Sequence, residues 1–234
     1  MNDTIYLDLY GTYAGQEYVQ SMTYSIASYC YNQLGKNQKA TFYTLLADLL
    51  NFGAAHQVYG NYNTKNLVNA DMTDAHKAYA SSYELTLKNV TNINYVVNSN
   101  ATAFFKGASL YLQSKVEIKY TVETTDLTDI SLHLSFVDDK DVRHDYVLDA
   151  SCFVPKAGKV NQYEVSFDGL MAKQMSTAVE ATVYRGETAI SNTALYSIES
   201  YAASNINKAT NSDALKNMLK MMMYYGNAAA AYFS

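Results

Sequence analysis

The sequence predicts a mixed α+β fold, in which an antiparallel, Ig-like β-sandwich is flanked by two repeated antiparallel helical hairpins. Three observations support this prediction. A six-residue motif near the N-terminus recurs near the C-terminus, and an apolar stripe of helical period follows each copy. Between the two copies, apolar and polar residues alternate with a period of two, which is typical of half-buried strands.

The repeat defines the organisation of the chain. Residues 24–29 read Tyr-Ser-Ile-Ala-Ser-Tyr and residues 196–201 read Tyr-Ser-Ile-Glu-Ser-Tyr, an offset of 172 (196 minus 24). Further along, Gly53 aligns with Gly226 at an offset of 173 (226 minus 53). Upstream, the pair 9–10 matches the pair 183–184 at an offset of 174 (183 minus 9). Residues 1–59 therefore resemble the last part of a β-plus-helix unit, and residues 108–232 resemble a complete one.

Two interpretations of this asymmetry remain open. Either the chain is a piece of a longer array, or the N-terminal strand hairpin joins the sandwich formed by the rest of the chain.

Residues 1–74 are predicted to contain a strand hairpin, the first helical hairpin and a linker. The strand hairpin spans 4–23, with its turn at 11–16. Ser25 is a good N-cap for the first helix, which Gly35 ends. The second helix carries a stripe from Phe42 to Gly53 and stops at Gly60. The polar stretch 61–74 reads as an irregular linker.

Residues 75–195 are predicted to form the β-sandwich, and 196–234 the second helical hairpin. Clear alternation marks strands at 116–123, 131–136, 163–168 and 179–184, and weaker alternation marks 83–87, 95–97, 109–112 and 144–148. Residues 138–141 are a turn between two of these strands. We expect all three regions to form one compact unit.

Composition excludes several functions. The net charge is −5 and charged residues make up only 17%, which argues against a nucleic-acid partner. No run of about 18 apolar residues is present, so we expect no membrane span, and no signal peptide is visible at the start. Two cysteines do not form a disulfide framework, and we expect Cys30 and Cys152 to be unpaired.

The sequence contains no pattern that predicts catalysis or a cofactor. The acidic cluster Asp138, Asp139, Asp141 and Asp145 is best explained as a solvated hairpin turn, with a calcium or catalytic site as the alternative. The histidines at 56, 76, 133 and 144 lack metal-ligand spacing. Phosphate loops and nucleophile motifs are also absent from the sequence.

Tyrosine is the remaining chemical signal, with 23 Tyr and no Trp. A tyrosine ring exposed on a flat surface can stack on the apolar face of a sugar, although Tyr also fills β-sheet faces and interfaces. Candidate carbohydrate contacts fall in two clusters and one repeat-related position: Tyr6 and Tyr10 on the polar side of the first strand, Tyr59, Asn61, Tyr62 and Asn63 at the exit of the second helix, and Tyr184, which matches Tyr10.

The quoted motifs also resemble a known module. Tyr-Ser-Ile-x-Ser-Tyr, Leu-Leu-Asn-Phe-Gly-Ala-Ala-His-Gln-Val-Tyr and Tyr-Asn-Thr-x-Asn-Leu-Val-Asn-Ala are similar to a module repeated in large secreted proteins of anaerobic, fibre-degrading Gram-positive gut and rumen bacteria. The resemblance covers about 3–62 and 108–232. In the second copy, residues 221–225 and Asn227 depart from the usual Leu-Leu-Asn-Tyr-Gly-Ala run. The resemblance transfers no catalytic residue.

The resemblance implies a secreted or cell-surface location within a larger, often cellulosome-associated protein. Two functional hypotheses follow. The first is a non-catalytic carbohydrate-binding module for plant-type polysaccharide. The second is a structural spacer or protein-interaction module that contacts neighbouring modules of the same polypeptide.

Overall fold

The computed structural model describes residues 3–113 and 115–234, and these residues cluster into two compact units. Unit 1 ends at Tyr83, and unit 2 spans Glu84–Ser234. About 33% of the chain is strand and 30% is helix, and the strands pair antiparallel. The predicted mixed α+β class is therefore confirmed.

Unit 1 begins with a two-stranded antiparallel hairpin, formed by β1 (Ile5–Tyr13) and β2 (Gln16–Tyr24). The predicted hairpin is confirmed, but the predicted turn at 11–16 is too long, because only Ala14 and Gly15 separate the strands and Gly11 lies within β1. Ala14 has φ 51° and Gly15 has φ 78°. Two successive residues of positive φ match the twist of a tight hairpin, so the strands are longer than predicted.

Three helices follow in unit 1: α1 (Ile26–Leu34), α2 (Ala40–Gly60) and α3 (Asp74–Lys77). The predicted N-cap is confirmed, since Ser25 Oγ accepts from the backbone N–H of Ser28 at 3.0 Å. Gly35 follows the last residue of α1, as predicted. The left-handed residue that ends α2 is Asn61 (φ 51°), because Gly60 keeps its helical place.

The core of unit 1 corrects the prediction of a linker at 61–74. Val68 and Met72 from this stretch are 3% and 4% exposed, and they pack against buried residues of α1 and α2 such as Cys30 and Leu50. The hydroxyl of Tyr31 also donates to the Val68 carbonyl at 2.9 Å. The stretch is irregular, but it is part of the hydrophobic core.

Unit 2 contains ten strands among its described residues: β3 (Asn92–Val96), β4 (Phe104–Leu112), β5 (Val116–Glu123), β6 (Ile130–Val137), β7 (Arg143–Asp149), β8 (Val154–Pro155), β9 (Gln162–Phe167), β10 (Val179–Arg185), β11 (Thr188–Ala189) and β12 (Thr193–Tyr196). One sheet has the order β3-β12-β10-β6-β7, with β11 paired to β10, and the other has the order β4-β5-β9-β8.

The sequence located most of these strands. β6 and β7 pair across the predicted turn at 138–141. The predicted strand at 83–87 is wrong, because these residues have no strand structure. The short strands β8, β11 and β12 were not predicted, since two to four residues are too few to show a period of two.

Apolar residues of both sheets contribute to the core of unit 2. Ile118, Tyr120 and Val122 of β5 are fully buried, as are Leu132 and Val183 of the other sheet. The rings of Tyr146 and Phe167, one from each sheet, meet edge to face at 5.0 Å.

Two helices end unit 2, α4 (Ile198–Asn205) and α5 (Asp213–Phe233). Ser197 caps α4 as Ser25 caps α1, accepting from the Ser200 N–H at 3.0 Å. The first turn of α4 also holds the chain that leads into β3. Glu199 Oε1 accepts from Lys88 N and Ser200 Oγ accepts from Val90 N, both at 3.0 Å.

Both cysteines are free, as predicted. Cys30 is fully buried on α1, and Cys152 is partly exposed in a 3₁₀ turn of unit 2.

Asp48 of α2 gives unit 1 a pH-dependent stability. Its carboxylate is 1% exposed and accepts from the backbone N–H and the hydroxyl of Ser81 at 2.9 and 2.7 Å. Burial raises the pKa of Asp48, and the bonds from Ser81 oppose that rise. A raised folded pKa contributes stability that is complete below the ordinary value of 3.8 and is lost as pH rises through the folded pKa.

We therefore expect Asp48→Asn to reduce the dependence of the unfolding free energy of unit 1 on pH. The Asn carboxamide can accept from the Ser81 N–H through its oxygen and donate to the Ser81 hydroxyl through its nitrogen, without a buried charge. The variant should therefore gain stability relative to wild type as pH rises from about 3.5 to 7.5. The unfolding free energy of unit 1 in urea, monitored by amide hydrogen exchange at each pH, measures this difference. Asp74→Asn, at an exposed carboxylate of the same unit, is the matched control for the loss of one negative charge. If the unfolding free energies of Asp48→Asn and wild type changed in parallel with pH, Asp48 would not be the source of this pH dependence.

Candidate functional site

The first candidate cluster lies on the polar face of the hairpin. Tyr6 and Tyr10 are each 77% exposed on β1, on the same side as Asp8. Their cross-strand neighbours on β2 are Thr23 for Tyr6 and Val19 for Tyr10. The hairpin exposes both rings. Tyr6 and Tyr10 lie four positions apart, about 14 Å along the strand, so both rings can contact one ligand only if it spans several sugar units.

The second cluster, at the exit of α2, is exposed, with Tyr59 at 37% and Tyr62 at 49%, but parts of it are engaged in local contacts. Tyr59 still belongs to α2, so Gly60 does not release it from the helix. Tyr62 folds back, and its hydroxyl lies 2.8 Å from Nδ1 of His56. Its ring lies so close to Gly60 that a Cβ there would approach it to 2.9 Å. Burial raises the pKa of Tyr62, with a smaller contribution from the charge of Asp3.

Asn61 and Asn63 have a conformational role at this exit. Both are exposed and adopt positive φ, 51° and 49°, which Asn tolerates better than most residues. The side chain of Gln57 then holds the loop. Its amide nitrogen donates to the carbonyls of Asn63 and Asn66 at 3.2 and 3.0 Å, and its oxygen accepts from Val68 N at 2.8 Å. Sequence reasoning missed Gln57, because a helical glutamine gives no signal of such a role.

Tyr184, the repeat counterpart of Tyr10, lies in a different environment. Its ring stacks on His133 of the neighbouring strand at 4.1 Å and 23°. The side chain is half-buried, so one face of the ring is already occupied. The structure places Tyr184 in unit 2 and Tyr6, Tyr10, Tyr59 and Tyr62 in unit 1.

The acidic cluster makes local hydrogen bonds and ion pairs. Asp138 accepts from His144 at 2.8 Å and from the backbone of Lys140 and Val142, and these bonds lower its pKa to about 2. Asp139 pairs with Lys173 at 2.7 Å. Within residues 3–113 and 115–234, no group of three or more His, Cys, Asp or Glu side chains is arranged to hold a metal ion.

Unit 2 also contains an open cleft that the sequence did not reveal. It has a volume of about 510 Å³, and its lining includes Tyr95, Phe136, Asp138, Arg143, Thr177 and Glu180. Arg143 is held by Ser135 Oγ at 2.8 Å and by Asp145 at 2.9 Å. An aromatic ring, a guanidinium and a carboxylate can together bind a polar ligand. The lining comes from distant segments, which explains why no local pattern marked it.

Comparison with family models, with curated proteins and with solved structures found no match to this chain. Among the helices described, none is long and apolar enough to cross a membrane.

The network of Gln57 gives a testable prediction for the exit of α2. Gln57→Ala removes three hydrogen bonds and leaves the buried Val68 N–H without its acceptor, so unit 1 should lose about 1–3 kcal/mol of stability. Amide exchange at Val68 should accelerate more than exchange elsewhere in unit 1. The control is Val58→Ala, at the next and largely exposed helical position. Equal effects of the two substitutions would contradict this role for Gln57.

Proposed function

We propose that the chain is a non-catalytic repeat module of a secreted or cell-surface bacterial protein, acting as a structural spacer or protein-interaction module. In this proposal a complete unit is an Ig-like β-sandwich followed by an antiparallel helical hairpin. Neighbouring modules of the same polypeptide are its partners. The location rests on the resemblance of the repeated motifs.

The observation that carries the proposal is a hairpin-plus-helix structure common to both units. Each unit has paired strands, a serine-capped short helix and a helix of 21 residues. The strand register is also the same in both units. Residue numbers in unit 2 exceed those of their counterparts in unit 1 by 174 in the first strand (179 minus 5) and by 172 in the second (196 minus 24), and the same counterparts face each other across the strands. The equivalent cross-strand pairs, for unit 1 and unit 2 in turn, are Ile5–Tyr24 with Val179–Tyr196, and Leu7–Met22 with Ala181–Ala194.

A structure repeated at this level of detail supports an architectural function. Repeat proteins gain stability from interfaces between neighbouring units, and they keep the local elements that build those interfaces. The polar groups of the clusters described above are, in contrast, engaged locally: Tyr62 with His56, and Asp138 with His144.

Carbohydrate binding is the second candidate, and the exposure of Tyr6 and Tyr10 favours it. Both rings are 77% exposed on one face of a sheet, which is the arrangement that stacking on a polysaccharide requires. The repeat weakens this candidate, since the equivalent of Tyr10 in unit 2 is stacked on His133 and the equivalent of Tyr6 is Glu180.

Affinity electrophoresis through gels that contain xylan, xyloglucan, mixed-linkage β-glucan or pectin separates the two candidates. We expect the full chain to migrate as it does in gels without polysaccharide. Retardation that Tyr6→Ala together with Tyr10→Ala abolishes, with unchanged thermal unfolding, would establish the carbohydrate candidate instead.

A matched double variant controls for loss of tyrosine surface. Tyr13 and Tyr18 are also exposed, but strand alternation and register put both on the opposite face of the hairpin. Tyr13→Ala with Tyr18→Ala should therefore leave any retardation by the Tyr6 and Tyr10 face intact.

A further inference from the structure

The second face of the N-terminal hairpin, together with the start of α1, is an exposed apolar surface. We call it the hairpin face, and its members are Ile5 (69% exposed), Leu7 (47%), Leu9 (51%), Met22 (48%), Tyr24 (53%) and Ile26 (55%). Strand alternation and register place the five strand residues on one side. A cluster of exposed apolar side chains on one surface points to an interaction site.

The equivalent residues of unit 2 are all buried. In the same order they are Val179 (0% exposed), Ala181 (0%), Val183 (0%), Ala194 (1%), Tyr196 (4%) and Ile198 (3%). The two sets occupy matching positions in strands of the same register, ahead of helices with the same cap. The difference in exposure therefore comes from what covers the hairpin in unit 2 and not from the hairpin itself.

The strand edges show the same difference. In unit 2, β10 pairs with β6 along Glu180–Arg185, and β12 pairs with β3 at Thr193 and Leu195. In unit 1, β1 and β2 form a sheet of only two strands within the described part of the chain. Two nine-residue strands thus present open edges, each a template for pairing with another strand.

The first turn of the helix provides a third, independent observation. In unit 2 the buried hydroxyl of Ser200 accepts from the backbone of Val90, which leads into β3. Ser28, its equivalent in α1, is exposed, and its hydroxyl donates to the Ser25 carbonyl within the same turn. The position that receives the chain before β3 in unit 2 is open to solvent in unit 1.

We infer that the hairpin face docks a β-sandwich that lacks its own final hairpin, a polypeptide segment with the strand set of residues 84–178. One strand pairs antiparallel with β1 along Tyr6–Gly11, as β6 does with β10. Another pairs with β2 around Ser21–Thr23, as β3 does with β12. A second sheet covers the apolar side chains. This inference rests on the proposed repeat-module function and names the partner of that module.

Side-chain size further defines the partner. Leu7 and Met22 stand where unit 2 has Ala181 and Ala194, so the hairpin face projects more volume than its counterpart. Close-packed interiors do not absorb such an excess. The docked sheet must therefore carry smaller side chains opposite Leu7 and Met22 than unit 2 has opposite its alanines. Unit 2 of a second copy is not the occupant, because its own β10 and β12 already fill these positions.

A fusion protein that carries residues 4–234 of the chain tests the inference. Residues 84–177 are joined to Thr4, so that the added segment leads into β1 as it leads into β10 in unit 2. A second fusion also carries Leu7→Ala and Met22→Ala, which give these two positions the side chains of Ala181 and Ala194. Hydrogen exchange of the amides of Tyr6–Gly11, resolved by NMR, is compared with that of the unfused chain.

Docking should slow exchange at these amides by at least roughly 100-fold in the second fusion, because opening the strand then requires opening the sandwich. The first fusion should show a smaller gain, because Leu7 and Met22 exceed the space that the segment offers. Lysines on the hairpin face should remove this protection from exchange, because docking would bury their charges. The substitutions are Leu7→Lys with Leu9→Lys in the first fusion, and Ile5→Lys with Leu9→Lys in the second. Tyr6→Lys with Tyr10→Lys, on the opposite face, should leave the gain intact.

Unchanged exchange in both fusions would overturn the inference, as would a gain that survives the charges on the hairpin face. The proposed function fails on a different measurement, namely polysaccharide retention that depends on Tyr6 and Tyr10. A chain that shows neither retention nor protection would thus lose this partner while keeping its assignment as a module.

Discussion

An antiparallel pair of strands with one apolar face has to bury that face and satisfy both outer edges, and this requirement organises both units. In unit 2 it is met on every side, because β6 and β3 flank the hairpin formed by β10 and β12 and the apolar residues lie in the core. In unit 1 the same register, helix cap and long helix occur without that cover. The features common to both units, namely the register, the cap and the long helix, are specified by the segment itself. Burial of the apolar face depends on the neighbouring strands, which only unit 2 has among the described residues.

The helices of unit 1 show how such a unit retains a core of its own. Cys30 and Leu34 of α1 pack with Leu46 and Leu50 of α2, and the irregular stretch after α2 completes the cluster with Val68. Gln57 holds that stretch through its backbone, so a polar side chain fixes an apolar contact. The hairpin contributes no buried residue to this cluster, which is why it is available for a partner.

Features encoded within a few residues could be read from the sequence, and features that depend on distant segments could not. The cap at Ser25, the end of α1 at Gly35 and the turn at 138–141 rest on local hydrogen bonds or backbone preference, and they are confirmed. The core position of Val68 and the cleft beside Arg143 depend on segments that meet only after folding. Most residues around Val68 are polar, which indicates that the segment is exposed on average. That average does not reveal that a single side chain of the segment is buried, so the segment was predicted to be a linker.

The burial of Cys30 has a consequence for redox chemistry. Desolvation raises the pKa of its thiol to about 11, and a backbone hydrogen bond opposes that rise. At neutral pH the reactive thiolate fraction is then on the order of 10⁻⁴, and the sulfur is also inaccessible, with 0% exposure. Disulfide exchange needs a thiolate that can reach another sulfur. Folded unit 1 can therefore pass through an oxidising compartment with Cys30 reduced, which leaves Cys152 as the thiol that oxidants and alkylating reagents can reach.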